Sequence, residues 1–336
     1  MFEHPMLRQR LIPMFRQCLF VFWVAMATGR AATPAAPIIF RGLSDASAAV
    51  QLRGDLFAVA SDENNILQFY RLDQPGDPVG SFDLRPFLFN SRKGPECDLE
   101  AAARIGNRVY WISSHGRNAA GEAAPSRHRF FALEVQGDGA NVQLRPVGRA
   151  YTNLLVDLVQ EPALARYRLA EAAARAPKAA GGLNIEALTD TPEGGLLIGF
   201  RNPIPEGRAL IVPMENPAEV VAGQGPRFGA PILLDLGGLG LRGIGSTADG
   251  YYLIAGPADR GAECQLYRWT GGTAMPQRSG DVRLEGINPE GICFHDDHGR
   301  SEFVILSDDG SLIVDGKEAK KLPRKQRQFR AFRILR

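Results

Sequence analysis

Cysteine is scarce in this chain. Its 336 residues include four, and none sits in a C-x-x-C spacing, so neither a zinc site nor a redox motif of that kind is suggested. Long apolar runs are missing as well. The longest, Cys18–Thr28 (CLFVFWVAMAT), has about eleven residues, whereas a bilayer span needs roughly twenty. It follows the basic residues Arg8, Arg10 and Arg16, and Ala25-Met26-Ala27 and Gly29-Arg30-Ala31 offer cleavage sites. That is the build of a secretory signal peptide over residues 1–31. The expected location is therefore the periplasm or the medium, with no membrane span once the signal is removed.

Charge of one sign is also lacking. Removing residues 1–31 takes one acid and four arginines and turns the formal +2 into about −1. A mature chain without basic excess argues against nucleic acid as a partner. Cys18 leaves with the signal, so Cys97, Cys264 and Cys293 remain. An oxidising compartment permits one disulfide among them, and the residues do not choose the pairing. Cys293, inside an apolar run, reads as a buried thiol.

What the chain does have is a recurring phrase: an acid or amide, an apolar residue, an acid, a small residue, then a hairpin. It appears as Asp98-Leu99-Glu100-Ala101, Asn184-Ile185-Glu186-Ala187 and Asn288-Pro289-Glu290-Gly291. Leu241-Arg242-Gly243-Ile244 has the same shape with an arginine in the acid's place. Units start near residues 47, 100, 186, 242 and 290, and four-stranded repeats of about forty to fifty residues signify a β-propeller. The expected fold is all-β, with five blades, or six if Pro217–Leu236 holds a degenerate one. In the last unit the strands are expected at Phe303–Ser307 and Ser311–Val314, with Phe329–Leu335 outermost. Residues 32–38 read as a flexible leader and 39–336 as the propeller.

One stretch breaks the pattern. Thr152–Ala176 spaces its apolar residues three and four apart, which predicts a helical insertion over about 152–178, interrupted at Pro162, between the second and third repeats. Two decoys carry no site. Gly238–Gly243 fits G-x-G-x-x-G but leads into a hairpin, not a phosphate-cradling helix. The basic run Lys317–Arg330 reads as protection of an edge strand.

In each hairpin the first strand leaves the acid and the second returns to it, so both strand ends share one face. That rim should carry Asp45, Ser47, Asp98, Glu100, Asn184, Glu186, Arg242, Asn288 and Glu290 inside, and Asp62, Glu63, Ser114, His115, Arg201, Asn202, Gly256, Pro257, Asp308 and Asp309 outside. Asp45 and Ser47 are placed only by counting back from Asp62. The turns should occupy the opposite face.

The strings DLEAAARIGNRVYWISSHGRN, PSRHRFFAL, LNIEALTDTPEGGLLIGFRNP, IAGPAD and NPEGICF resemble the bacterial domain-of-unknown-function 3616 family across nearly all of the mature chain. Ala101 and Ala187 stand where the family phrase has glycine. The resemblance implies a propeller-like fold, distantly similar to esterase-like phytase propellers, and brings no established activity.

The chemistry expected at the rim follows from its charges. Acids converging on one axis repel unless a cation compensates them. Asp98, Glu100, Glu186 and Glu290 are candidate ligands for Ca²⁺, the cofactor expected of an exported oxygen-ligand site; the alternative is acids capping their own blade junctions, with Arg242 neutralising the ring. Glu100, Glu186, Glu290 and His115 are the catalytic candidates, His115 as a general base. Arg117, Arg201, Arg242, Asp62 and Asp308 are the candidate ligand-binding residues, the arginines suited to a small anionic ligand. Arg127 and Arg208 read instead as loop salt bridges. The first functional expectation is a hydrolase of phosphoric or carboxylic esters; the alternative is a non-catalytic module binding a ligand or partner protein, and a pure scaffold is the third.

Overall fold

The computed structural model describes residues 1–2, 36–259, 263–280, 282, 284–297 and 300–335. Most of the expected signal peptide and of the expected leader lies outside them. The fold belongs to a compact unit spanning Ala31–Arg336. No helix among the described residues is long and apolar enough to cross a membrane.

Strand β1 (Ile38–Arg41) comes first in the chain. The first blade is β2 (Ala48–Arg53), β3 (Leu56–Ser61), β4 (Asn64–Arg71) and β5 (Gly80–Asp83), followed by the short helix α1 (Arg85–Phe89). The second blade is β6 (Leu99–Ile105), β7 (Arg108–Ser113), β8 (Phe130–Gln136) and β9 (Gln143–Tyr151). An insertion follows, made of α2 (Leu154–Gln160), a 3-10 turn (Pro162–Tyr167) and α3 (Leu169–Ala173). The third blade is β10 (Asn184–Asp190), β11 (Leu196–Asn202) and β12 (Ala209–Met214), then α4 (Pro217–Val221) and β13 (Ile232–Leu234). The fourth is β14 (Gly240–Thr247), β15 (Gly250–Gly256), β16 (Gln265–Trp269) and β17 (Gln277–Arg278). The chain ends with β18 (Pro289–Asp297), β19 (Arg300–Ser307), a small hairpin β20 (Ile313–Val314) and β21 (Lys317–Glu318), and β22 (Gln328–Leu335).

Each blade is a four-stranded antiparallel sheet, and five of them make the propeller. The fifth blade has the order β18-β19-β22-β1, so the first strand of the chain closes the ring. Two expectations are corrected here. Phe329–Leu335 falls in the third strand of that blade, with β1 outside it. Ile313–Val314 pairs only with Lys317–Glu318, in a hairpin of its own. The stretch Pro217–Leu236 holds α4 and the outer strand of blade three, so there is no sixth blade.

The inner strands are apolar on both faces because each blade is covered by its neighbours. Every residue of β3 (LFAVAS) and of β11 (LLIGFRN) is buried. Apolar clusters fill the gaps between blades one and two, two and three, three and four, four and five, and five and one. At the closure Phe40 of β1 stacks on Phe329 of β22, with centroids 5.2 Å apart, and meets Phe57 and Tyr70 edge-on at 5.3 Å. Near the axis the blades crowd, and small residues are required. A Cβ on Gly243 would lie 2.6 Å from the Glu290 carbonyl oxygen.

The insertion buries Leu154, Leu158, Leu164 and Leu169 in the cluster between blades two and three. Pro162 ends α2 and restarts the chain, and the Glu161 carboxylate accepts from the Ala163 amide at 3.2 Å. The insertion is therefore part of the core.

Candidate functional site

A cleft of about 670 Å³ opens where the inner strands of the blades begin. Asp98 and Glu100, Asn184 and Glu186, Arg242, and Asn288 and Glu290 enter it from the starts of inner strands, joined by Asp45. Asp62, Glu63, Arg201, Pro257 and Asp308 enter from the ends of the second strands. The expected inner ring apart from Ser47, and Asp62, Glu63, Arg201, Pro257 and Asp308 of the outer one, thus share a surface, while Ser114, His115, Asn202, Gly256 and Asp309 do not line it.

The repeated phrase has a backbone meaning. The pairing of inner with second strand slips between Leu99 and Ala101, Ile185 and Ala187, Leu241 and Gly243, and Pro289 and Gly291. The skipped residues are Glu100, Glu186, Arg242 and Glu290. A bulge frees one residue from the ladder and re-aims its side chain. Four blades use it to bring one charged group each to the cleft.

These charges are not equivalent. The Arg201 guanidinium donates to Glu186 Oε1 at 2.7 Å, to the Pro257 carbonyl at 2.8 Å and to the Asp259 carbonyl at 3.4 Å. Arg242 donates to Glu290 Oε1, and its Nε lies 3.7 Å from Glu186 Oε2. Arg127 donates to Asp98 at 2.7 Å and to Glu96 at 2.5 Å. Asn288 donates to Asp308 at 3.0 Å. Glu100 has no hydrogen bond or ion pair among the described residues.

Burial and neighbouring carboxylates then hold several protons in place. Burial, with Glu186, Asp98 and Glu290 around it, keeps the Glu100 carboxyl well above the usual range. Asp62 is raised in the same way, by burial and then by Asp308 and Glu290. Glu290 is pushed up to about 8 by burial, with Arg242 pulling down and Asp308 and Glu186 pushing up. Asp98 is raised to about 6, burial outweighing Arg127 and Ser114. Ten carboxylates line the cleft against five basic side chains, so its field favours positive or neutral ligands.

The metal expectation meets a different set of acids. Among the described residues, the group of three acids whose ligand atoms lie within 4.8 Å of one another is Asp45, Asp62 and Glu63. Asp98, Glu100, Glu186 and Glu290 are not gathered so closely. Asp62 Oδ1 is buried with no hydrogen-bond partner. Three carboxylates with an orphaned oxygen fit a hard, oxygen-preferring cation such as Ca²⁺. Lys320 competes there, donating to Glu63 at 2.6 Å.

Two expected site residues lie elsewhere. His115 is 1% exposed and outside the cleft lining. Its φ of 55° departs from strand geometry and turns the ring inward, where Nδ1 lies 2.8 Å from the Ser113 carbonyl and the ring stacks on His128. Burial lowers it to about 3, so it stays neutral and has no access to a bound molecule. Arg117 donates to the Ala173 carbonyl at 3.1 Å and to the Gly121 carbonyl at 3.0 Å. It ties a loop to the insertion. Arg127 makes the salt bridges expected of it.

Several cleft residues had no sequence signal: Lys178, Asp259, Glu263, Cys264, Ser311 and Lys320. They sit in loops between strands, where no periodicity applies. Cys264 Sγ lies 3.8 Å from Arg242. Cys97, Cys264 and Cys293 form no disulfide with one another.

Fold and site together define a five-bladed β-propeller with an acid-rich axial cleft. The chain belongs to the family described as protein of unknown function (DUF3616), whose model matches residues 136–314. No curated protein matches it. Among solved structures it is similar to the major allergen Mala s 1 of Malassezia sympodialis, with 8% identity and a TM-score of 0.51 over 89% of this chain and 96% of that one. Glutaminyl cyclase from Myxococcus xanthus aligns over 90% of this chain and 97% of its own, at 11% identity and a TM-score of 0.46. A GH43_1 enzyme from Xanthomonas citri aligns over 87% and 88%, at 11% identity and a TM-score of 0.44. At such identities the likeness concerns the fold alone.

Proposed function

We propose that the axial cleft is the catalytic site of an exported hydrolase acting on carboxylic esters by carboxyl acid–base chemistry. The observation that supports it is the division among the bulge residues. Glu186 and Glu290 are held by arginines, while the carboxyl of Glu100, beside them, has no hydrogen bond or ion pair among the described residues and keeps its proton well above the usual range. Environments that push neighbouring carboxyls apart mark acid and base roles. Glu100 is the proton donor. Asp98, two residues before it and titrating at about 6, is ionised at neutral pH and is the acceptor.

In this reading Asp98 takes a proton from water as its oxygen bonds to the ester carbonyl carbon. Glu100 gives its proton to the alcohol oxygen as the carbon–oxygen bond breaks. Of the two ester classes expected from the sequence, the carboxylic is favoured on electrostatic grounds. Phosphate esters carry negative charge into a lining dominated by carboxylates, and each guanidinium nitrogen of Arg201 already donates to Glu186, Pro257 or Asp259. Ca²⁺ belongs to the proposal as a bound cofactor held by Asp45, Asp62 and Glu63, where it would offset the acidic field.

The test is turnover of a chromogenic ester panel by the purified protein. Carboxylic esters should react and phosphomonoesters should not. Glu100→Gln, which keeps shape and removes the proton, should lower kcat about a hundredfold or more with the fold intact. Equal turnover by parent and variant refutes the role of Glu100. Saturable ligand binding without turnover points to the binding module instead.

A further inference from the structure

The hairpin β20–β21 joins no blade. Its base is fixed: the Ala319 amide donates to the Leu312 carbonyl at 2.8 Å and the Lys320 amide to the Gly310 carbonyl at 3.0 Å. Ala319 and Leu322 are buried beneath it. Its free end turns tightly at Asp315 and Gly316, both with positive φ. Leu312, Ile313 and Val314 are 44%, 68% and 41% exposed. Among the described residues of the propeller unit, the other exposed large apolar side chains, such as Val79 and Met275, stand singly.

The flank of this apolar tip is basic. Lys317–Arg327 holds six basic residues against the single acid Glu318. Lys320 and Lys321 are engaged by Glu63 and Glu318, while Lys317, Arg324 and Lys325 are exposed and without an ion pair among the described residues. Edge protection does not account for them, because β1, not this segment, forms the outer edge of the fifth blade. An aliphatic tip followed closely in the chain by unpaired cations matches the boundary of an anionic bilayer, where apolar side chains enter the headgroup region and basic ones meet lipid phosphates. A protein partner would have to supply an apolar socket and separate acids in register; the bilayer supplies both everywhere.

We infer that the β20–β21 hairpin docks the propeller reversibly on anionic lipid surfaces. Ser311 and Lys320 also line the axial cleft, so docking would hold the cleft mouth close to the membrane. The inference is independent of the catalytic reading. It is tested by co-sedimentation with phosphatidylcholine vesicles made with and without phosphatidylglycerol, using the full chain and, in parallel, Ala31–Arg336, which holds all the strands that close the ring. Both should sediment with the anionic vesicles at low salt, and Ala31–Arg336 should remain in solution with neutral ones. Reversing Lys317, Arg324 and Lys325 to Glu should lower the partition of Ala31–Arg336 about tenfold or more. Ile313→Ser, a milder change at an exposed site, should weaken it with the circular dichroism unchanged. Absence of binding, equal binding to both vesicles, or variants that bind like the parent would overturn the inference. So would capture of a protein through this hairpin by a chain that ignores vesicles.

Discussion

Asp45 offers a direct measure of how the cleft's acids load the fold. It is 3% exposed, and among the described residues its carboxylate accepts one hydrogen bond, from the Ser44 hydroxyl at 2.9 Å. Burial lifts its carboxyl from 3.8 to about 6, with Asp308 and Glu63 adding to the rise against the pull of Ser44. The folded state therefore holds this proton more tightly than the unfolded one. The associated stability is complete below about pH 4 and is lost as pH climbs through about 6. The gap corresponds to ~3 kcal/mol at pH 7.5. Asn at position 45 has the shape of the protonated acid at every pH and escapes that loss. Urea unfolding of Asp45→Asn in chelator should match the parent at pH 4 and exceed it by ~2–3 kcal/mol at pH 7.5. Ca²⁺ should close the difference from the other side, because only the parent keeps all three acids. At a hundredfold excess over its Kd, a cation stabilises the parent by ~2.7 kcal/mol. A variant less stable than the parent at pH 7.5 in chelator, or equally improved at both pH values, would refute the electrostatic account.

Three further outcomes follow from the same geometry. Ester hydrolysis should rise with pH through about 6 as Asp98 ionises, and kcat/KM profiles of Asp98→Asn should lack that limb. Arg201→Ala should destabilise the protein by ~3–5 kcal/mol in chemical denaturation, since Glu186 is left buried with its main partner gone; Lys should rescue little, because one ammonium cannot serve Glu186 and the carbonyls of Pro257 and Asp259 together. Phe40→Ala should cost ~3–5 kcal/mol by loosening the ring closure, read as a lower urea midpoint with little change in slope.

The fold was legible because a propeller writes its repeat into the chain five times. Each unit needs an apolar inner hairpin, and the acid phrase punctuated four of them. The closure was not legible. β1 is a four-residue strand whose partner lies almost three hundred residues away, and Ile38–Arg41 alone has no feature that distinguishes an outer strand from a leader. The β20–β21 hairpin was misread for a related reason: Ser311–Val314 is apolar enough for a blade, but Asp315-Gly316 turns the chain back before a ladder can form. Local pattern reports strand formation, while partner choice is settled by long-range closure.

The site was legible to the extent that hairpin geometry held. It located Glu100, Glu186, Arg242 and Glu290 correctly relative to one another, because the same bulge recurs in each blade and preserves the register between blades. It failed at His115, where a single left-handed residue at the strand end reverses the side chain and puts it in the core beside His128. Arg242 shows why charge alone could not finish the assignment. As an odd member of an acidic ring it suggested either an anionic ligand or another acid as its partner, and its guanidinium is occupied by Glu290 and stands beside Glu186. The three bulge glutamates and one bulge arginine leave an excess of acid, and with Arg201 added from the neighbouring strand Glu186 and Glu290 are accounted for. Glu100 is the carboxyl left over. An uncompensated acid at the centre of a paired set weakens the fold whenever it ionises, and the protein keeps it in the cleft lining.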